Sequence, residues 1–243
     1  MDGAEGNPAV NSQNESGLRQ LDSLDSLDSQ LAASDRWNSF YSDRARPCPF
    51  FVSAADECLS ASIEQDLLPP GRAIDLGCGH ARNSIFLARH GFSVDAIDYS
   101  ATAIEWADEA VRAAGATVSL KCANVFECEL APSGYDLVYD SGCFHHIPPH
   151  RRGQYVDLVV RALKPGGWLG MTCFRPEGGS GFTDDEVYRR GSLGGGLGYA
   201  EERLREIWSH GLRIHELRQM KEQRDGSGLF GKSFLWALLA QKQ

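Results

Sequence analysis

Residues Ala73-Ile74-Asp75-Leu76-Gly77-Cys78-Gly79-His80-Ala81-Arg82-Asn83 decide how this chain is read. A short apolar run stops at two glycines and gives way to a helical pattern, which predicts a buried strand turning sharply into a helix. Glycines at 77 and 79 permit a tight turn and remove the Cβ atoms that would block a ligand, and the next helix offers free N–H groups. A dinucleotide fingerprint needs Gly or Ala at position 82, and Arg82 disfavours NAD. Asp75, just before the first glycine, suits a cationic ligand end such as an ammonium or sulfonium and repels a pyrophosphate.

Working outward, the runs Ala73 to Leu76, Ser93 to Ile97, Val118 to Lys121, Leu137 to Tyr139 and Trp168 to Cys173 read as strands, with helices between all but the third and fourth. That rhythm predicts an α/β fold, a mostly parallel sheet with helices on both faces and ligands beyond the carboxyl ends of the strands. A helix near 200–209 and strands near 212–220 and 233–240 close the chain. The second strand ends at Asp98, nineteen residues after Gly79, the spacing at which a carboxylate accepts from both ribose hydroxyls. Ser100 competes with it as cap of the following helix.

Composition agrees with a soluble globular protein: of 243 residues, 42% are hydrophobic and 23% charged. The longest apolar run, Phe234 to Ala240, is too short to span a bilayer, so no membrane partner is expected. Residues 1–35 hold seven carboxylates and one arginine, so most of the net charge of −9 lies there. The remainder is nearly neutral and has no basic stripe, which argues against a nucleic-acid partner. Seven cysteines without a C-x-x-C pair read as reduced thiols, and with no secretory or transit signal the expected location is the cytoplasm.

At this point the chain resembles the class I S-adenosylmethionine-dependent methyltransferases over residues 37 to 243. Tyr135-Asp136-Leu137-Val138-Tyr139-Asp140-Ser141-Gly142 and the turn Leu163-Lys164-Pro165-Gly166-Gly167-Trp168 are similar to the family's later motifs. The resemblance implies a Rossmann-like seven-stranded sheet with its last strand antiparallel and inserted beside the fifth. It implies S-adenosylmethionine as cofactor, with Asp75, Gly77 and Gly79 around the methionine part, Asp98 on the ribose and Tyr99 along the adenine. Asn124 matches the acceptor for the adenine amino group, Val125 or Phe126 would lie against the ring, and Asp140 matches a position near the methyl and the substrate. Ala81 stands where some members have a third glycine.

Residues 1–34, with a tandem Leu-Asp-Ser from Leu21 to Ser29, read as a disordered acidic tail, and residues 35–243 as a single domain. Within it, residues 35–70 would form an N-terminal helical cap, 71–174 the cofactor core, 175–199 a lid and 200–243 the closing helix and strands. Trp37, Tyr41, Phe50 and Phe51 resemble the cap of small-molecule members such as thiopurine and tellurite-resistance methyltransferases, with Tyr41 bonding the cofactor carboxylate. The segment Arg175 to Tyr199 holds eight glycines and reads either as a lid or as a disordered insertion.

Directly after Asp140, Phe144-His145-His146-Ile147-Pro148-Pro149-His150 puts three imidazoles into six residues. Adjacent histidines point apart and no ligand spacing is completed, so no metal is expected. His145 or His146 is a candidate general base, against a purely structural role. Phe50, Phe51, Phe144 and Phe174 are expected to shape the acceptor pocket. Gly226 to Ser233 fits a literal P-loop pattern, but a P-loop follows a strand, opens a helix and needs a later strand bearing an Asp for magnesium, and only ten residues remain after Ser233, so it reads as a hairpin turn between the last two strands.

The expected function is methyl transfer to an O, N, S or C nucleophile of a small molecule, with the oligomeric state left open. The alternatives are a protein or peptide side-chain acceptor, a reaction that displaces the cofactor's aminobutyryl chain, and a silent binding module.

Overall fold

The computed structural model describes residues 26–28, 30, 31, 34–224 and 226–243. Most of the expected tail lies outside these. Its described residues 26–28, 30 and 31 are helical, Leu31 is buried, and Asp28 accepts from Arg151 Nε at 2.7 Å and lies 2.9 Å from His150 Nε2. This part of the stretch therefore packs against the domain rather than standing in solvent.

The helices are α1 (Ser34–Ser42), α2 (Glu57–Glu64), α3 (Arg82–Arg89), α4 (Ala101–Ala114), α5 (Arg152–Ala162), α6 (Asp184–Arg190) and α7 (Glu201–Trp208). The strands are β1 (Ala55–Asp56), β2 (Arg72–Leu76), β3 (Ser93–Asp98), β4 (Val118–Cys122), β5 (Tyr135–Ser141), β6 (Leu163–Phe174), β7 (Leu212–Gln219), β8 (Leu229–Phe230) and β9 (Leu235–Lys242). Seven of them form one sheet in the order β4-β3-β2-β5-β6-β9-β7, with β9 antiparallel to both its neighbours and the other pairings parallel. This is the seven-stranded, mostly parallel arrangement expected from the family resemblance.

The central strands β2 and β5 are largely buried because helices cover both of their faces. In β2, Ile74 and Leu76 join one core cluster with Val138, while Ala73 joins the opposite one with Leu137 and Tyr139. The register Ile74↔Val138 and Ala73↔Leu137 sets these side chains in matching rows. At the edge, β4 has no buried residue.

Two features went unread in the sequence. The turn at Lys164 to Gly167 lies inside β6, as a register shift opposite Tyr135 and Leu137. The two-residue strands β1 and β8 pair in parallel, Ala55 with Leu229 and Asp56 with Phe230, and tie the N-terminal segment to the loop between β7 and β9. Within the cap expected over residues 35–70, α2 begins only at Glu57, because Ala55 and Asp56 take this pairing. The P-loop pattern falls in the same loop and is followed by a strand, with Lys232 paired to Glu222 at 2.9 Å.

Residues 175–199 are packed: Val187, Leu193, Leu197 and Tyr199 are buried, and Leu197 N–H donates to the His145 carbonyl at 2.8 Å. Among the described residues no helix is long and apolar enough to cross a membrane.

Candidate active site

A cavity of about 790 Å3 opens above the carboxyl ends of β2, β3 and β5, where the strand order reverses, and falls within the about 300–1,000 Å3 of small-molecule sites. Its floor is the turn from β2 into α3. The N–H groups of Gly77 and Cys78 donate to the Ile97 carbonyl at 2.8 and 2.9 Å, which locks the turn to β3. Gly77 has φ +68°, and a Cβ there would lie 2.8 Å from the Cys143 Cβ; Gly79 has φ +56°, and a Cβ would meet the Tyr41 hydroxyl at 2.8 Å. Both glycines are therefore required by backbone conformation and by space.

Ala81 caps α3 in the left-handed region, at φ +65°. That conformation costs a non-glycine residue about 1–2 kcal/mol, which burial of its methyl beside Ala107 and Val111 partly offsets.

Asp75 is 1% exposed and lines the cavity. Its Oδ2 accepts from Ser84 Oγ at 2.6 Å, while its buried Oδ1 has no hydrogen-bond partner. Burial pushes its carboxyl up to about 7. A buried carboxylate oxygen without a partner, on a residue that lines the cavity, calls for a donor, and the ammonium of S-adenosylmethionine fits that need. Asp98 accepts from Gly79 N–H and Ser100 N–H, both at 2.8 Å, and burial raises its carboxyl as well. Each of its oxygens keeps a lone pair for ribose hydroxyls. Tyr41 lies over this end, stacked on Phe51 at 5.6 Å.

At the far end Tyr99, Asn124, Val125 and Phe126 line the same cavity, with Tyr99 38% exposed. Asn124 Oδ1 already caps its own turn, accepting from Phe126 N–H at 3.1 Å, and its Nδ2 donates to Glu127 at 3.2 Å. Its first duty is thus to shape the turn that carries Val125 and Phe126.

On the acceptor side two expectations are corrected. Asp140 does not line the cavity; it is fully buried and accepts from Cys143 N–H at 2.7 Å, Phe144 N–H at 3.0 Å and the Tyr155 hydroxyl at 2.6 Å. It builds the loop after β5 instead of facing the methyl, and burial raises its carboxyl to about 6. Phe144 is likewise core, stacked on Tyr199 at 5.1 Å, because the short helical turn after β5 rotates it inward. Phe50, Phe51 and Phe174 do line the cavity.

His145 and His146 both line it and differ in their bonding. His145 stacks on Phe174 at 3.8 Å, and its Nδ1 accepts from Phe174 N–H at 3.3 Å, so the ring's one lone pair is occupied. His146 meets Trp37 edge-on at 4.6 Å, and its buried Nδ1 has no partner. Burial holds both rings neutral, with His146 lowered to about 3 with help from the Arg36 charge. Among the described residues no three His, Cys, Asp or Glu side chains converge as metal ligands.

A polar network behind Phe50 escaped the sequence reading. Asp56, fully buried, accepts from Asn83 Nδ2 at 3.0 Å, Tyr139 OH at 2.7 Å and Ser141 Oγ at 2.7 Å, and pairs with Arg82 Nη2 at 2.6 Å. Arg82 also donates to the Ala54 carbonyl at 2.9 Å and Ser141 Oγ at 2.9 Å, and lies 4.5 Å over Phe230. Arg82, Asn83, Ser141 and Thr172 line the cavity. The Arg-Asn pair after the glycine turn was the available signal, but its partner lies 27 residues away in a segment with no motif.

Comparison with known proteins now adds to this geometry. Residues 73–167 match the methyltransferase domain family. The chain is 26% identical over 185 residues to 2-heptyl-1-hydroxyquinolin-4(1H)-one methyltransferase of Mycobacteroides abscessus, covering 76% of each chain. It is 32% identical over 124 residues to ribosomal RNA small subunit methyltransferase C of Alcanivorax borkumensis, covering 48% of this chain and only 36% of that protein. In structure it is similar to Burkholderia thailandensis 1,6-didemethyltoxoflavin-N1-methyltransferase, with a TM-score of 0.58 at 18% identity, covering 100% of this chain and 93% of the other. The methyltransferase domain over residues 73–167 and these relatives indicate an S-adenosylmethionine-dependent methyltransferase, and the sheet topology is that of its Rossmann-like structural neighbours.

Proposed function

We propose that this enzyme methylates a small-molecule nucleophile by in-line displacement, and that its acceptor binds between the N-terminal segment and the ends of β5 and β6. The observation that carries the reading is the continuity of one cavity from Asp75 and Asp98 to an aromatic chamber walled by Trp37, Phe50 and Phe174. Its size suits a cofactor and a compact acceptor. The quinolone methyltransferase supports a small acceptor through its long alignment, whereas the ribosomal RNA enzyme aligns over less than half of this chain.

When bound, S-adenosylmethionine supplies an electrophilic methyl on a sulfonium. Asp75 Oδ1 would accept from its ammonium, Tyr41 would meet its carboxylate, Asp98 would hold the ribose, and Tyr99, Val125 and Phe126 would flank the adenine. The chain's remaining task is to hold the acceptor in line and keep water out, and orientation of this kind can supply about 7–11 kcal/mol of a barrier. The N-terminal segment and the packed glycine-rich segment supply the walls. Neither Asp140 nor His145 has a free lone pair directed at an acceptor, and burial lowers His146 to about 3, so no general base is assigned among these residues.

The test is to incubate purified protein with S-adenosylmethionine, with and without a pool of small metabolites, and to identify the adenosine product by mass spectrometry. S-adenosylhomocysteine formed only with the pool is the expected result. Methylthioadenosine formed without an acceptor would replace methyl transfer by cofactor cleavage, and no product in either tube would refute a small-molecule acceptor.

A further inference from the structure

Resting on the small-molecule reading above, we infer that the acceptor is a flat aromatic compound with an acidic hydroxyl, bound as its anion with the charged oxygen between Arg36 and His146. Arg36 on α1 lines the cavity, lies 5.7 Å over the Trp37 ring and acts electrostatically on His146. Among the described residues it has no carboxylate partner. Arg44, two turns further along, is by contrast held by Glu109.

The carboxylates that line the cavity are otherwise engaged or lie at the cofactor end. Asp28 is held by His150 and Arg151, Glu127 by Asn124, and Asp75 and Asp98 belong to the cofactor's half. Asp56 is not among the lining residues and is paired with Arg82 at 2.6 Å. A cationic acceptor would therefore find no free countercharge in the aromatic chamber, and an anion finds Arg36.

The walls set the shape. Phe174 and His145 form a stacked pair, Trp37 stands edge-on to His146, and Phe50 packs against Phe174 at 6.2 Å, so flat faces and edges surround the space. Such walls favour planar rings, which stack offset or edge-to-face. His146 lines the same chamber and its buried Nδ1 has no hydrogen-bond partner among the described residues, so the Nδ1–H tautomer would have a bond to give an anionic oxygen, and a charge-assisted bond of this kind is roughly twice as strong as a neutral one. An acceptor that has already lost its proton to solvent needs no base from the protein, in keeping with the engaged lone pairs of His145 and Asp140.

The experiment measures binding by calorimetry to protein saturated with S-adenosylhomocysteine. The probes are 4-nitrophenol, 2,4-dinitrophenol and 2-heptyl-1-hydroxyquinolin-4(1H)-one, each against the same ring lacking that hydroxyl. Binding of S-adenosylhomocysteine itself is measured first, and its absence would sink the methyltransferase site rather than the acceptor class. The expected result is that at least one hydroxyl compound binds about tenfold or more tightly than its partner, that Arg36→Gln reduces the ratio to about threefold or less, and that affinity for S-adenosylhomocysteine is unchanged. Equal binding within every pair, no binding by any hydroxyl compound, or a preference that survives Arg36→Gln and is lost in Arg46→Gln would each overturn the assignment.

Discussion

Replacing Asp56 by alanine tests whether the buried network, more than the aromatic contacts, fixes the N-terminal segment to the core. In the native protein the Arg82 side chain is 7% exposed and, among the described residues, its only carboxylate partner is Asp56, which is itself fully buried. Asp56→Ala strands that guanidinium together with the Asn83 amide, the Tyr139 hydroxyl and the Ser141 hydroxyl. Breaking a buried pair by removing one partner costs about 3–5 kcal/mol. The three donors add to this only in part, because water can enter the vacated space and Ser141 can turn toward Thr172 Oγ1, 3.3 Å away.

A net loss of about 4 kcal/mol should lower Tm by roughly 8–16 °C in a protein of this size. Urea unfolding of wild type, Asp56→Ala, Arg82→Met and the double variant measures the coupling. The double variant should recover about half of the loss, because it no longer buries a lone charge while the Met chain keeps contact with Phe230. A cost below about 1 kcal/mol for Asp56→Ala, or a double variant no more stable than the single one, would show that the network is not what anchors this segment.

Asp75→Asn should change the pH dependence of stability with a defined sign. Burial raises the wild-type carboxyl from 3.8 to about 7, so its contribution is fully present at acid pH and declines as pH rises from about 4 to 7; the asparagine variant should gain on wild type over that range, by at most about 4 kcal/mol, in urea titrations at pH 4.5 and 8. Affinity of wild type for S-adenosylhomocysteine should rise with pH through 7 as Asp75 ionises, and the variant should flatten that rise in calorimetry. Gly79→Ala should weaken S-adenosylhomocysteine at least about tenfold, since the positive φ costs about 1–2 kcal/mol and the new methyl displaces Tyr41. Asp140→Asn should destabilise the fold by about 1–3 kcal/mol through lost bonds to the loop after β5, while leaving the pH profile of methyl transfer in place; loss of the acidic limb would restore Asp140 as a base.

What could be read in advance follows from how far each interaction reaches along the chain. The turn from β2 into α3 and the strand rhythm are local patterns, and Asp98 sits at a spacing set by one strand-helix-strand unit, so fold and cofactor half were legible. Phe144 and Asp140 were misplaced because a short helical turn after β5 decides which side chains face inward, and two adjacent residues can exchange roles through one rotation. The Asp56 network and the β1–β8 pair join segments 27 and about 170 residues apart. Neither leaves a periodic trace, and a lone Asp in a cap looks like any surface carboxylate until Arg82 is seen beside it.

The two histidines illustrate why residue type alone does not assign chemistry. A base needs an available lone pair and a proton affinity near that of its partner in transfer. His145 fails the first condition through the Phe174 N–H, and His146, lowered to about 3, fails the second for any alcohol or amine of ordinary acidity. A neutral imidazole in a dry aromatic wall is better suited to donate a hydrogen bond than to remove a proton. Transfer from a sulfonium then places the chemical demand on the acceptor, which must carry its own nucleophilic electron pair into the cavity, and the pairing of Arg36, without a carboxylate partner among the described residues, with the unpartnered His146 Nδ1 is what such an acceptor would require.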